Sequence, residues 1–472
     1  MADVGNPDNP LRVAVIGAGP AGFYSVSELR RHTDLHVETE MFDRLPAPFG
    51  LVRYGVAPDH PKDKSVTRTY DKTAQSPNFR FYGNVQFGTD ITLRDLQLHY
   101  HQVVFATGAQ TDRGLGIPGE ELSGNHSAAE FVAWYNGHPD FVDRQFDLTQ
   151  QNVAIVGMGN VALDVARILC RTSTELAQTD IADYALQALR NHKVRNVYLL
   201  GRRGPAQAAF TPPEIRELAE LTDTDVRVAP EEAVLDPASA EFVAANPNKN
   251  NAKNLACIEQ YAKTAPTGGT RVITLRFLVS PVEMSGPAGK LTTLKLLKNQ
   301  ARRGTDGSVR AHATDVEEIL PVGLLFRSVG YRGVALPGVP FNEARGLIQN
   351  QCGRVTDAAG NALMGLYAAG WIKRGPTGVI GTNKTCARET VACMLEDLAA
   401  KRHLQPGSTD PIEVERLVRE RCRNVVSYPD WQRIDAAEVH NGEAVNRPRV
   451  KFTNLDAMLA ALGRARIADA GH

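Results

Sequence analysis

Val13 to Tyr24 reads VAVIGAGPAGFY, in which four apolar residues lead directly into Gly17-x-Gly19-x-x-Gly22. In a strand–turn–helix unit, such glycines allow a tight turn, close approach of the backbone to a pyrophosphate, and close packing of the helix on the strand. The phosphates then lie at the helix N-terminus, where free N–H groups and the helix dipole favour anions. The next apolar stretch ends at Asp43, a position from which an acid would accept hydrogen bonds from an adenosine ribose. The stretch therefore predicts a first dinucleotide-binding fold, with a glycine-rich turn that binds no ligand as the alternative.

The same pattern recurs at Val153 to Arg167, where Gly157-x-Gly159-x-x-Ala162 follows a second apolar stretch. The next apolar stretch, Val197 to Leu200, runs into Gly201-Arg202-Arg203-Gly204. An NAD site would have an acid here, whereas a guanidinium fork suits the 2′-phosphate of NADP. The second fold is therefore predicted to bind NADP, with a solvated arginine pair at a strand end as the alternative.

Two dinucleotide folds in one chain imply two dinucleotides, and an NADP site in the second leaves FAD for the first. The apolar stretch Val103 to Phe105 stops at Ala106-Thr107-Gly108, and a late stretch, Leu366 to Gly370, runs into Trp371, as FAD-domain strands often do. The predicted fold is α/β, with two Rossmann-like dinucleotide-binding domains. The FAD domain is discontinuous, over 1–110 and 336–472, and the NADP domain is inserted at 111–335.

Smaller features of the pattern predict the elements around these folds. The interval after the second glycine motif is long, so residues 171–193 are expected to add a helix. Residues 268–310 are expected to form an antiparallel insertion, because turn-rich segments separate their strand-like stretches. Thr382 to Leu398 has the helical period, with a buried face listed as Val391, Met394, Leu395 and Leu398.

Composition excludes several classes of protein. The 472 residues include 53 Lys and Arg against 53 Asp and Glu, a balance that argues against a nucleic-acid partner. The 6 cysteines contain no C-x-x-C pair, which argues against an intrinsic iron–sulfur cluster, a zinc site and a dithiol reductase. No apolar run approaches the roughly 20 residues of a membrane span, and the N-terminus is polar. We expect a cytoplasmic protein with no metal site and no membrane span.

Four longer motifs carry a family resemblance. They are LPAPFGLVRYGVAPDHPK at 45–62, GRRGPAQAAFT at 201–211, GWIKRGPTGVIGTNK at 370–384 and RPRVKF at 447–452. Together they resemble the adrenodoxin-reductase family of NADPH–ferredoxin reductases, including its bacterial members. The resemblance implies a non-covalent FAD that takes a hydride from NADPH and passes single electrons to a small iron–sulfur ferredoxin. A monooxygenase such as a cytochrome P450 is one consumer of those electrons.

The resemblance also implies roles for individual residues. FAD contacts would come from Gly17, Gly19, Pro20, Ala21, Gly22, Asp43, Arg44, Gly50, Leu51, Val56, Ala106, Thr107, Gly108, Gly370, Trp371, Gly378, Val379 and Ile380. NADP contacts would come from Gly159, Asn160, Val161, Arg202, Arg203, Glu214, Trp371 and Gly378. His60 and Glu217 would form a catalytic proton relay. Taken alone, Trp371 reads as a core aromatic, His60 as a turn residue, and Glu214 as part of a helix-capping box that begins at Thr211.

Two other functions remain open at this stage: a flavin-dependent monooxygenase, and a non-enzymatic flavoprotein that responds to NADP. The local charge bears on the partner. Glu214 to Glu241 contains nine acids and two bases, whereas Lys249 to Arg310 contains eleven bases and three acids. We expect part of the basic block, in the predicted NADP domain, to dock an acidic ferredoxin. A generally solvated insertion is the alternative.

Overall fold

In the computed structural model, which describes residues 3–465, strands and helices alternate over most of the chain. The strands are β1 (Leu11–Ile16), β2 (Val37–Asp43), β3 (Phe79–Gly83), β4 (Gln102–Phe105), β5 (Thr111–Asp112), β6 (Asn125–Ser127), β7 (Asn152–Val156), β8 (Asn196–Gly201), β9 (Thr224–Val228), β10 (Arg271–Phe277), β11 (Val279–Ser285), β12 (Thr293–Arg303), β13 (Val309–Pro321), β14 (Leu324–Arg327), β15 (Tyr331–Arg332), β16 (Phe341–Asn342), β17 (Leu347–Ile348), β18 (Asn350–Gln351), β19 (Arg354–Thr356) and β20 (Ala362–Ala368).

The helices follow the same order. They are α1 (Pro20–Leu29), α2 (Leu51–Tyr54), α3 (Pro61–Lys64), α4 (Thr67–Ala74), α5 (Leu93–His99), α6 (Ala128–Tyr135), α7 (Asn160–Cys170), α8 (Ser173–Leu176), α9 (Asp183–Arg190), α10 (Pro212–Glu217), α11 (Pro230–Ala233), α12 (Pro237–Ala245), α13 (Lys249–Lys263), α14 (Trp371–Arg374), α15 (Thr382–Ala399), α16 (Pro411–Arg421), α17 (Tyr428–Glu443) and α18 (Leu455–Ala460).

The chain divides into two compact units. The first unit contains the residues up to Thr111, the segment Asn136–Val142, and the residues from Tyr331 onward. The second unit contains Asp112–Tyr135 and Asp143–Gly330. The sequence-based domain limits do not separate 136–142 from the NADP domain. Residues 1–2 and 466–472, at the ends of the predicted FAD domain, lie outside the described residues.

The first unit is built on a seven-stranded sheet with the order β18-β19-β20-β4-β1-β2-β3. β1 is buried along its whole length and lies parallel to both β2 and β4. A strand that is covered on both faces in this way reads as a continuous apolar run, which is why β1 was recognisable in the sequence. The strand order reverses at β1, and ligands of open α/β sheets bind at the carboxyl ends of the strands beside such a reversal.

The second unit repeats this plan in a six-stranded sheet with the order β6-β14-β7-β8-β10-β9. β7 lies parallel to β14 and β8 and occupies the position that β1 has in the first sheet. The α/β class with two Rossmann-type sheets is confirmed. The helix expected within 171–193 is present as two helices, α8 and α9.

The expected antiparallel insertion lies further along the chain than predicted, at 279–321 rather than at 268–310. β11, β12 and β13 form an antiparallel sheet, but β10 lies parallel to β8 and β9 in the main sheet. Leu278, in the left-handed region with φ 55°, is the single residue between β10 and β11. A sharp turn at a non-glycine residue carries no turn signature, so the sequence did not reveal where the main sheet ends.

α15 confirms the predicted late helix. Val391 and Met394 are buried, and Leu395 and Leu398 are partly buried against the same core. Across residues 3–465, no helix is both long enough and apolar enough to cross a membrane.

Candidate functional site

The first glycine motif forms the turn between β1 and α1. Gly17 has φ +107°, and a methyl group added there would lie 2.6 Å from the carbonyl oxygen of Ala106, so the residue must be glycine. A methyl group at Gly22 would collide with the carbonyl oxygen of Gly17. A methyl group added at Gly19, the N-cap of α1, would point into open space and meet no described atom within 4 Å. The turn is therefore tightly packed on its protein side and open at the helix N-terminus, where a phosphate would bind.

The predicted FAD residues Ala106, Thr107 and Gly108 lie beside this turn. The Ala106 N–H donates to the Ile16 carbonyl, and the Cα of Thr107 would lie 3.1 Å from a methyl group at Gly17. The end of β4 thus forms one wall of the cradle at the strand reversal, as the topology requires.

Asp43 ends β2 and faces the same turn. Its carboxylate accepts hydrogen bonds from the N–H groups of Ala18 (2.8 Å) and Leu45 (2.9 Å). Burial raises the pKa of Asp43 above its ordinary value, and the two hydrogen bonds oppose that rise. Each oxygen of an ionised carboxylate has a further lone pair, so Asp43 can still accept from a ribose hydroxyl. The adjacent Arg44 forms an ion pair with Asp140, 2.6 Å apart.

A second segment lies across the glycine turn. Phe49 donates its N–H to the Ala18 carbonyl, and a methyl group at Gly50 would lie 3.0 Å from the Cα of Gly19. Leu51 begins α2 directly after this contact, and Val56 closes the turn that follows by donating to the Leu51 carbonyl. The structure therefore brings the predicted residues of 50–56 to the glycine cradle.

The end of β20 reaches the cradle from the other side. A methyl group at Gly370 would lie 2.5 Å from the side chain of Ala21 in α1. Trp371 follows at the start of α14, half-buried rather than in the core, and its indole Nε1 donates to the Thr377 carbonyl at 3.2 Å. The loop that contains Gly378, Val379 and Ile380 runs from there into α15. The core-aromatic alternative for Trp371 therefore does not describe its position.

His60 lies in the same unit as this cradle. It is the N-cap residue of α3, and its Nδ1 is 3.9 Å from the carboxylate of Asp63. His60 is held in a turn, with its N–H donating to the Ala57 carbonyl, as the flanking prolines suggest.

The second glycine motif, in the second unit, has the same construction between β7 and α7. A methyl group at Gly157 would collide with the carbonyl oxygen of Ser328, which follows β14, while Gly159 faces open space. Asn160, the first residue of α7, accepts a hydrogen bond from the Thr211 N–H at 2.8 Å, and Val161 follows it in the first turn. This turn too leaves a helix N-terminus open for a phosphate.

Arg202 and Arg203 follow β8 beside this turn, since a methyl group at the preceding Gly201 would lie 2.7 Å from Met158 of the glycine motif. Both side chains are exposed, and within residues 3–465 neither forms an ion pair. Partial desolvation by the neighbouring protein, together with the charge of Arg202, lowers the pKa of Arg203. Two adjacent guanidinium groups without a carboxylate fit a ligand phosphate, which would remove their mutual repulsion.

Glu214 and Glu217 project from α10 towards Arg167 of α7. The guanidinium of Arg167 is fully buried, with Nη1 at 3.2 Å from Glu214 and 3.5 Å from Glu217, while Nη2 contacts Asp164 at 2.5 Å. The capping-box expectation for Glu214 is wrong: Thr211 is the N-cap residue, but its side chain forms no capping hydrogen bond. A buried guanidinium needs carboxylate partners more strongly than a solvated helix end needs a cap.

Sequence reasoning missed two arginines that organise these regions. Arg167 lies three residues after Asp164 in an otherwise apolar helix, and this isolated charged pair was a usable signal. Arg374 donates through Nη1 to the Thr377 carbonyl and through Nη2 to Asn383 at 3.2 Å, and so fixes the loop after Trp371. Nothing in the periodicity separates Arg374 from a solvated cation.

Comparison with known proteins shows the family to which the chain belongs. The family model for pyridine nucleotide-disulphide oxidoreductases matches residues 11–236, a range that contains both glycine turns. NADPH-ferredoxin reductase FprA of Mycobacterium leprae is 43% identical over 96% of this chain and 98% of its own length. The mitochondrial NADPH:adrenodoxin oxidoreductase of Arabidopsis thaliana is 40% identical over 96% of this chain and 95% of its own length.

A solved structure of Mycobacterium tuberculosis FprA in complex with NADPH superimposes with a TM-score of 0.91 at 42% identity. It covers 96% of this chain and 100% of the FprA chain. The chain belongs to the adrenodoxin-reductase-like family of NADPH–ferredoxin reductases. Membership confirms the resemblance drawn from the four sequence motifs.

The cysteines of this chain differ from what the name of the wider family model suggests. The wider family model is named for disulphide oxidoreductases, yet this chain has no C-x-x-C pair, and its six cysteines are all free thiols. The position after β20 holds Gly370-Trp371, and the residues around it build a clamped loop rather than a redox-active thiol site.

Proposed function

We propose that the protein is a ferredoxin–NADP⁺ reductase of the adrenodoxin-reductase type, which uses FAD to pass electrons from NADPH to a ferredoxin. One observation carries the proposal. β1 and β7 each lead into an open glycine turn, and beside the second of these turns lie two arginines, Arg202 and Arg203, that form no ion pair within residues 3–465. The relatives, whose alignments cover 96% of this chain, are named for the same function.

Bound FAD would supply the link between two-electron and one-electron chemistry, because a flavin can take up a hydride and release electrons singly. Residues of this chain supply binding and orientation. Gly17, Gly19 and Gly22 would form the turn that receives the FAD pyrophosphate, and Asp43 would accept a hydrogen bond from its ribose. Arg202 and Arg203 select the 2′-phosphate of NADPH.

His60 and Glu217 are proposed to handle the proton that accompanies flavin reduction. The guanidinium of Arg167 lies 3.5 Å from the Glu217 carboxylate, so Arg167 orients the Glu217 side chain. His60 would then carry the proton on its imidazole ring, whose two nitrogens can each donate or accept a hydrogen bond.

The docking surface for the acidic ferredoxin is proposed to be a part of the basic block. Five of its eleven cations form ion pairs with acids of the second unit: Lys263, Arg276, Lys295, Arg303 and Arg310. Exposed cations without an ion pair in the described chain are Lys249, Lys253, Lys290, Lys298 and Arg302. These five, rather than the whole block, support the docking proposal.

We also propose that the protein works in the cytoplasm. Six free cysteines, three of them buried, suit a reducing compartment. Detection of the native protein in the soluble cytoplasmic fraction, and not in a secreted or membrane fraction, is the expected result.

Anaerobic titration of the purified yellow protein with NADPH and with NADH tests the function. We expect stoichiometric bleaching of the flavin at much lower NADPH than NADH. Cytochrome c reduction should then depend on added ferredoxin. Absence of bound flavin, or NADPH oxidation that is coupled to hydroxylation of an organic substrate and not to ferredoxin, would overturn the proposal.

A further inference from the structure

The C-terminal motif RPRVKF, at 447–452, is part of neither glycine turn. It contacts the buried ion pair between Arg53 and Glu438, which lies in the same unit as the first glycine turn. Glu438 of α17 is completely buried. It accepts two hydrogen bonds from the guanidinium of Arg53 in α2, Nη1 to Oε2 at 2.9 Å and Nη2 to Oε1 at 2.5 Å. A bidentate pair of this kind fixes direction as well as distance.

The motif closes around this pair. The Phe452 N–H donates to Oε1 of Glu438 at 2.8 Å, and Arg449 Nη1 lies 3.3 Å from Oε2. Lys451 is buried, and its Nζ donates to the carbonyl oxygens of Arg53 at 3.3 Å and Asn136 at 3.2 Å. Residues 447–452, which we call the C-terminal strap, thus bind the Glu438 carboxylate that holds the Arg53 side chain, and also the backbone carbonyl of Arg53.

The segment held in this way is strained. Phe49 has φ 83°, a conformation that is unfavourable for any residue with a side chain, and such strain persists only where the surroundings impose it. Trp431 of α17 packs edge-on against the Phe49 ring at 5.9 Å, and the Arg53 guanidinium lies over Trp431 at 5.1 Å. The strained residue is therefore pressed by the same helix that carries Glu438.

The strain is located where it affects the cradle. Phe49 donates its N–H to Ala18 inside the first glycine turn at 2.7 Å, and Gly50 contacts Gly19 at the open helix N-terminus. If Phe49 relaxed, the 49–50 backbone would leave Gly19, and the turn would lose the wall opposite Ala106.

We propose that Arg53, Glu438 and the C-terminal strap are positioning elements for FAD: they hold Phe49 and Gly50 in a strained conformation against the phosphate-binding turn. This inference rests on the proposed function only in that the first cradle binds FAD. It assigns to the last part of the described chain a role in the affinity of a cofactor whose binding residues begin at Gly17.

The test uses two variants. Glu438→Gln keeps the size of the side chain and an oxygen that can accept from the Phe452 N–H, but removes the negative charge. Arg53→Lys keeps the positive charge but removes the guanidinium group that donates two parallel hydrogen bonds. Val414→Ala is the matched control, because it opens a cavity in the core on α16, in a different hydrophobic cluster from Phe49 and Trp431. FAD affinity is measured by titrating each apoprotein with FAD and following the quenching of flavin fluorescence. The unfolding temperature of each apoprotein and the visible spectrum of each holoprotein are recorded as well.

We expect Glu438→Gln and Arg53→Lys to weaken FAD binding about tenfold. Release of the strained conformation lowers the fraction of protein molecules whose first glycine turn can bind FAD. The flavin absorption bands should shift, while the KM for NADPH stays unchanged. Val414→Ala should lower the unfolding temperature without changing FAD affinity.

The inference fails if Glu438→Gln binds FAD as tightly as the wild type, or if Val414→Ala loses FAD affinity to the same extent. If Glu438→Gln is insoluble, Arg53→Lys decides by the same comparison. A wild-type protein that does not bind FAD at all would overturn the proposed function instead, so the two failures are distinguishable.

Discussion

At the scale of single residues, Arg202 and Arg203 are the proposed determinants of which coenzyme the second unit accepts. Arg202→Ala or Arg203→Ala should raise the KM for NADPH and leave the KM for NADH unchanged, because NADH has no 2′-phosphate. Loss of one charge-assisted hydrogen bond costs about 1.5–3 kcal/mol, which is roughly 10- to 150-fold in KM. Steady-state kinetics with both coenzymes check this, with Arg195→Ala, an exposed arginine of the same unit, as the control. An equal loss with both coenzymes would refute the assignment.

A buried histidine makes the first unit sensitive to acid. Burial lowers the pKa of His101 to about 4, and the charges of His403 and Arg12 add to the effect. Its Nδ1 accepts the Arg12 N–H, so protonation costs this contact. Between about pH 6.5 and pH 4 the unfolded chain binds the proton and the native chain does not, so stability is complete above this window and falls as the pH decreases through it.

The expected consequence is a shallower acid slope in His101→Gln. One proton taken up on unfolding corresponds to about 1.4 kcal/mol per pH unit. Unfolding temperatures measured from pH 7 to pH 4 with saturating FAD should therefore fall less steeply in the variant than in the wild type. His440→Gln, which replaces an exposed histidine, should retain the wild-type slope. Parallel slopes for all three proteins would exclude His101 as the source.

At the scale of elements, the two strand–turn–helix units offer a paired experiment. Gly19 and Gly159 have ordinary backbone angles and face open space, so a methyl group fits the protein at both positions. It does not fit a phosphate at the helix N-terminus. Gly19→Ala should fold normally but retain little FAD after gel filtration, whereas Gly159→Ala should retain FAD and show a raised KM for NADPH. Loss of FAD in Gly159→Ala would show that the cradles are assigned wrongly.

The same elements show what the sequence could predict. Both glycine turns and the buried strands before them were predictable, because a continuous apolar run and a positive-φ glycine each have a local cause. β10 was misassigned because its neighbours β8 and β9, and not its own pattern, place it in the main sheet. The capping box failed because Arg167, distant in sequence, competes for Glu214. Local rules fail where a non-local partner offers a larger free-energy gain.

At the scale of the whole molecule, the balanced net charge conceals an uneven distribution of charged residues along the chain. Lys298→Glu combined with Arg302→Glu should slow ferredoxin reduction about tenfold at low salt, since steering by opposite charges raises association rates by about 10- to 1,000-fold. The difference from the wild type should shrink as ionic strength rises. Lys193→Glu, in the same unit but outside the basic block, is the matched control. Ferredoxin kinetics that do not change with ionic strength would favour a solvated insertion.

The division into units was the least predictable feature. Sequence patterns located the inserted second fold, but not the return of Asn136–Val142 to the first unit. The His138 ring of this segment contacts the Tyr54 ring at a tilt of 58°, with the centroids 4.8 Å apart, and the Asn136 carbonyl accepts a hydrogen bond from Lys451. Both contacts join residues far apart in the chain, and no periodicity encodes them.

The strand order of the first sheet has a consequence for folding during translation. β4 pairs with β1 on one side and with β20 on the other, and more than 250 residues separate Phe105 from Ala362. At about 5–20 residues per second, translation takes on the order of 10 to 50 s to deliver that second neighbour. Until then one apolar edge of the nascent sheet has no native partner, which is the condition under which chains aggregate or recruit chaperones. We expect lower temperature or added chaperones to raise the yield of folded protein more than any stabilising substitution on the surface.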